Sequence, residues 1–301
     1  DGLNAPIHSS GNEVEIINSG ELVASGISSD GIYSDGLEAM ILNFGSIRAG
    51  VPFQYINDTT VGNGTGIFSK GGSAEIVNSG NISQVQVGIE SQGNDSRIFN
   101  SGRIEVAGAL TPFGSINPGY GILSTGDSAE IVHSGTIVGR DAIPEALLNP
   151  PFPIFIPNTT TGIALDPSGN ASGIADITGA ILVTSNAILG GNGEQVVNLR
   201  QGSRITGAID LGGGIDTVNI GMTGSSASLT FLNVENINLL SEVNGVVVGD
   251  AVHVVDASVF SYQTQTLNSL VSRAHGSMLR RSQFEGATGP LWVEASAPSF
   301  D

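Results

Sequence analysis

The chain has no cysteine, one tryptophan and only 5% aromatic residues among its 301. No disulfide can staple it and no Cys/His cluster can hold a structural zinc ion. Stability must therefore come from backbone hydrogen bonding and aliphatic packing. Basic residues are scarce too: 10 Lys+Arg stand against 28 Asp+Glu, a formal net charge of −18. That excess of acid repels phosphate backbones and anionic head groups, so neither nucleic acid nor an anionic membrane surface is expected as a partner. No run of 18 apolar residues occurs, so no membrane-spanning helix is expected. No basic-then-apolar leader opens the chain, which reads as mature or as a fragment.

What is abundant is glycine, at 43 residues, and a sixteen-residue frame that recurs five times without internal gaps. Its copies run Ile7–Leu22, Ile32–Ile47, Ile67–Ile82, Ile89–Ile104 and Ile122–Ile137. Each opens Ile-x-Ser-x-Gly, with Ser9, Ser34, Ser69, Ser91 and Ser124 two before Gly11, Gly36, Gly71, Gly93 and Gly126. Ile16, Ile41, Ile76, Ile98 and Ile131 follow, then Asn18, Asn43, Asn78, Asn100 and His133, then Gly20, Gly45, Gly80, Gly102 and Gly135.

Alternating apolar positions bounded by glycine predict short strands and tight turns. The glycines are expected where φ is positive, and the serines in turn hydrogen bonds. One unit cannot bury its own apolar row, but stacked units can, with strands of successive coils paired about 4.8 Å apart. The five isoleucines then form an internal column, and Asn18, Asn43, Asn78, Asn100 and His133 form a ladder at a corner. The expected fold is all-β, a right-handed parallel β-helix (solenoid) over residues 1–249, with a C-terminal α-helical linker in 250–301.

From the end of one frame to the next isoleucine the steps are 10, 20, 7, 18 and 26, the last reaching Ile163. Every length change falls at one point of the coil, so the long segments 49–65, 105–120 and 138–161 should project from one edge. They carry Phe53, Tyr55, Phe113, Tyr120, Leu147, Leu148, Phe152 and Phe155, and the third is rich in proline. Such a segment either folds down as a lid or forms a contact surface for another chain or a ligand. After Ile163 the repeat decays, and the coil is expected to close near Gly249, after about eight coils. Asp256 can cap a basic helix whose Phe260, Leu267, Val271, Ala274 and Met278 share one apolar face. Leu291–Ala297 then alternates like a strand.

Taken together, the Ile-x-Ser-x-Gly … Asn-Ser-Gly-x-Ile coils, Gly212-Gly-Gly-Ile-Asp-Thr-Val-Asn-Ile220, Phe231–Leu239, the junction from Asp256 to Arg281 and Gly289-Pro-Leu-Trp-Val-Glu294 resemble the passenger of a bacterial autotransporter (type V secretion). That resemblance implies a β-helix outside the cell, a linker helix threading an outer-membrane translocator barrel, and final coils that act as a folding cap. This chain carries at most the first strand of that barrel, so the outer membrane enters only through a barrel absent from it.

Chemistry is thin. His8 shares a variable outward position with Tyr33, Phe68, Glu90 and Leu123 and reads as a surface residue; His253 and His275 stand alone. Five identical serines are not five nucleophiles. Glu15, Glu75 and Glu130 align beside Met40 and Arg97, reading as a solvated face and yielding no acid/base pair. Gly212-Gly-Gly-Ile-Asp216 is one imperfect copy of the calcium-binding turns of toxin-type repeats, which need tandem copies. No catalytic residue, metal ligand or cofactor is expected. The function expected is a non-enzymatic adhesive or structural rod, extracellular or on a bacterial surface. It would meet a host, a cell surface or another copy of itself through the edge insertions, with a homo-oligomer as one outcome. The alternatives are a self-assembling filament or surface-layer subunit, and a carbohydrate-active β-helix enzyme.

Overall fold

The structure is a computed structural model, and it describes residues 5–25, 29–50, 64–110, 116–140, 160–223, 227–255, 265 and 267–273. The chain forms two compact units, 1–256 and 257–301. The first is a parallel β-solenoid. Each early coil holds three strands, such as Thr65–Ser69, Glu75–Asn78 and Asn81–Val85 in the third. The middle strands stack into a nine-stranded sheet, and the first and third strands share a sixteen-stranded one.

Residues at equal frame positions lie directly above one another. The middle column runs Ile16, Ile41, Ile76, Ile98, Ile131. The opening isoleucines run from Ile7 to Ile163, and the closing column from Leu22 to Ile137. Three aliphatic columns, one per face, thus converge on one axis. Among these residues Ile41, Ile76, Ile98 and Ile131 are fully buried, each worth roughly 1.5–3 kcal/mol of gross burial.

After Ile163 the repeat pattern fades but the coil continues, as expected. The middle column continues through Ala175, Val197, Val218 and Ile237, and the asparagine column through Ile177, Leu199, Ile220 and Leu239. Where Ile and Asn stood two apart, coil six has Ala and Ile: the bulk moves by two residues and the interior stays filled. At the far end Ala227–Leu232 pairs antiparallel with Ala251–Val254, which pairs in turn with Gly245–Val248. That hairpin covers the last edge of the larger sheet. In the second unit, residues 265 and 267–273 are helical, with Leu267, Leu270 and Val271 exposed. Among the described residues no helix is long and apolar enough to cross a membrane.

The frame glycines serve a purpose other than the one expected. None of them has positive φ; within the frames the left-handed residues are Glu13, Glu38, Ser73, Asp95 and Ser128, each two after a frame glycine. Their N–H groups turn to the next coil, Glu38 N donating to Gly72 O and Ser73 N to Asn94 O, 2.9 and 2.7 Å. The glycines are required by stacking: a Cβ on Gly36, Gly71, Gly93 or Gly126 would overlap the carbonyl of the glycine one coil before it. Gly45, Gly80, Gly102 and Gly135 meet the same obstacle at the second corner.

The serines also differ from expectation. Ser34, Ser69, Ser91 and Ser124 point into the vertex and are buried, and Ser34, Ser69 and Ser124 have no hydrogen-bond partner. Only in coil four does the residue five further on supply one: Ser91 Oγ donates to Ser96 Oγ at 2.7 Å, and Ser96 Oγ donates to Gly93 O at 2.6 Å. In coils two, three and five that position is Ala39, Ala74 and Ala129, and in coil one it is Val14. Ala74→Ser should therefore complete the pair for Ser69 and raise stability by about 1 kcal/mol, read from urea unfolding. Destabilisation would mean the vertex at coil three cannot hold a second hydroxyl.

Candidate functional site

The coil has three corners, and two are closed by stacked glycine. All three long segments lie at the other: they follow third strands ending at Ala49, Ala107 and Arg140, and precede first strands beginning at Thr65, Gly119 and Thr160. Where no long segment intervenes, Ala180–Leu189 simply bends through the corner as one strand, pairing with the third strand of coil five and then the first of coil six. A further glycine column, Gly31, Gly66, Gly88, Gly121 and Gly162, opens the first strands; a Cβ there would strike the closing isoleucines Ile47, Ile82, Ile104, Ile137 and Ile181.

Of the contact residues expected from sequence, Phe53, Tyr55, Phe113, Leu147, Leu148, Phe152 and Phe155 lie outside the described residues. Tyr120 is described: half-buried, it stacks between Val87 and Thr161, and burial raises its phenol pKa. The second insertion begins and ends as a short antiparallel pair, Ala109 with Asn117 and Leu110 with Ile116.

Beside this corner runs the outward column of the first strands, His8, Tyr33, Phe68, Glu90, Leu123 and Ala164. His8 is exposed, but Tyr33 is 8% exposed and Ala164 fully buried. The rings stack, His8 edge-on to Tyr33 at 4.8 Å and Tyr33 to Phe68 at 5.2 Å. Next to them sit two carboxyls that sequence reading did not bring together. Burial raises the pKa of both Asp30 and Glu90, and the charge of Asp30 adds to the effect on Glu90. Asp30 Oδ1 accepts from Thr65 N at 3.3 Å, and Glu90 Oε1 from Gln92 Nε2 at 2.8 Å. Tyr33 is raised by desolvation and by the charges of Asp35 and Asp30. The available signal was Glu90 itself, the one acid in an otherwise neutral or aromatic column; Asp30 occupies a different position of the coil.

The acidic column of the middle sheet has the expected register, Glu15, Met40, Glu75, Arg97, Glu130. Arg97 reaches Glu130 at 3.3 Å, with both side chains largely exposed, an ion pair of little energetic weight. Next to it a groove of about 360 Å³ is lined by Glu130, Ser172, Gly173, Ile174, Glu194 and Val196. Ser172 donates to Asp127 Oδ1 through both N and Oγ at 2.8 Å, which lowers the pKa of Asp127.

At the Gly212–Asp216 turn, Asp216 is buried. Its Oδ1 accepts from Gln195 N at 2.7 Å and its Oδ2 has no partner. Burial, then the charges of Glu235 and Glu194, push its carboxyl up to about 6. Among the described residues no group of three or more His, Asp or Glu side chains could hold a metal ion.

The ladder is continuous. Asn18 Nδ2 donates to Asn43 Oδ1 at 2.8 Å, Asn43 to Asn78 and Asn78 to Asn100 at 2.7 Å, and Asn100 Nδ2 meets His133 Nδ1 at 3.0 Å. A second amide ladder appears in the later coils on the outer face, Asn238 to Asn219 at 2.9 Å and Asn219 to Asn198 at 2.8 Å. No known protein family, curated protein or solved structure matches the chain.

Proposed function

We propose that the chain is the passenger of a bacterial autotransporter, acting outside the cell or on its surface as a non-enzymatic adhesive rod. Its contact surface is the corner that carries the insertions. The observation supporting this is the contrast between corners: two are closed by glycine stacks that admit no side chain, while the third varies in length from coil to coil. A stacked scaffold that fixes two edges and frees one suits recognition by loops on a stiff support.

The test removes the proline-rich insertion, residues 144–157, and measures attachment of the displayed protein to cells or coated surfaces. Ala180–Leu189 passes the same corner without a loop, so the shortened coil should close and keep its β-type circular dichroism. Attachment should fall to background. Full attachment by a folded deletion variant would remove this role from the loop.

A further inference from the structure

The buried ladder has a direction, and one carbonyl sets it. His133 Nε2 lies 3.1 Å from Ala180 O, which can only accept, so Nε2 must carry the proton. In the neutral ring Nδ1 is then an acceptor, and Asn100 must present its Nδ2 to it. Each preceding asparagine is oriented in turn, up to Asn18, whose Oδ1 accepts from Gly20 N at 3.1 Å. Both ends agree only while His133 is neutral.

We propose that His133 is an acid-sensing residue whose protonation reverses or breaks the amide ladder as far as Gly20, coupling pH to the first coil. With both ring nitrogens protonated, Nδ1–H would face Asn100 Nδ2, donor against donor. Relief requires Asn100 to turn its Oδ1 to the ring, then Asn78, Asn43 and Asn18 to follow. Gly20 N–H would end facing an NH₂ group. His133 is fully buried, and burial holds its pKa below the ordinary value.

Among the described residues of its own strand and the strands it meets, no charged group offsets the added proton. Its own strand carries Glu130, and the strands paired with it carry Arg97 and Asp176. Glu130 and Arg97 pair with each other, and Asp176 with Arg200 at 2.9 Å, all at positions exposed or half-exposed to solvent. The strand Ala180–Leu189 has no charged residue. The sign follows: the unfolded chain takes up the proton first, so stability is full above about pH 6.5 and falls as pH drops below it.

The test follows the amide resonance of Gly20 and the Nδ2 protons of the four asparagines from pH 7.5 downward, in wild type and in His133→Asn. In wild type all five should move with one common midpoint below about 6.5, and in His133→Asn none should share it. The proposal is overturned by a Gly20 signal that stays fixed while Asn100 titrates, by the same titration in the variant, or by no movement before acid unfolding.

Discussion

Alanine at Gly71 should lower the unfolding free energy by about 3 kcal/mol or more, near the upper range for overpacking. The added methyl would overlap the carbonyl carbon and oxygen of Gly36 and approach Leu37 N. These are backbone atoms of a tight turn, with Leu37 N donating to Asn12 Oδ1 at 3.0 Å, so no flexible side chain can yield. Opening the corner would also weaken the junction between coils two and three, on which every coil above depends. Two residues on, the sign reverses. Ser73 is exposed and left-handed, at φ 55°. Ser73→Gly relieves about 1–2 kcal/mol of backbone strain and costs about 0.5–1 kcal/mol in chain entropy, a small net gain. Urea unfolding followed by circular dichroism measures both. A Gly71→Ala protein as stable as wild type would mean that the corners do not stack.

That pair of substitutions also marks the limit of what the sequence conveys. Ile16 through Ile131 and Asn18 through His133 were legible as columns because each repeats at a fixed place between glycines. The reason for the glycines was not legible, since a residue type does not reveal whether φ or a neighbouring coil demands it. The later coils were legible as strands continuing the coil but not in their register, because Ala175 and Ile177 exchange the bulk of the Ile–Asn pair while filling the same space. Asp30 and Glu90 escaped notice for a different reason. Asp30 lies two residues before the frame that opens at Ile32 while Glu90 is the second residue of its own frame, and only the winding of the chain brings their charges within reach of each other.

The ladder yields the second large effect. Asn78→Leu should cost about 2–4 kcal/mol, because it leaves Asn43 Nδ2 and Asn100 Oδ1 buried without partners at about 1–3 kcal/mol each, offset partly by apolar gain. Those two asparagines are 0% and 1% exposed, so no water replaces the lost bonds. Yet the same column is aliphatic at Ile177, Leu199, Ile220 and Leu239, where no amide is left over. The cost therefore belongs to a broken chain of amides, and not to leucine at that corner. Replacing Asn18, Asn43, Asn78, Asn100 and His133 together by leucine, with valine at the five adjacent isoleucines as in Val197–Leu199, should recover most of the loss. Such strong non-additivity is expected of groups in one network. Urea midpoints of the single and the block variant decide the matter: losses that grow in proportion to the number of asparagines removed would show that each amide acts alone.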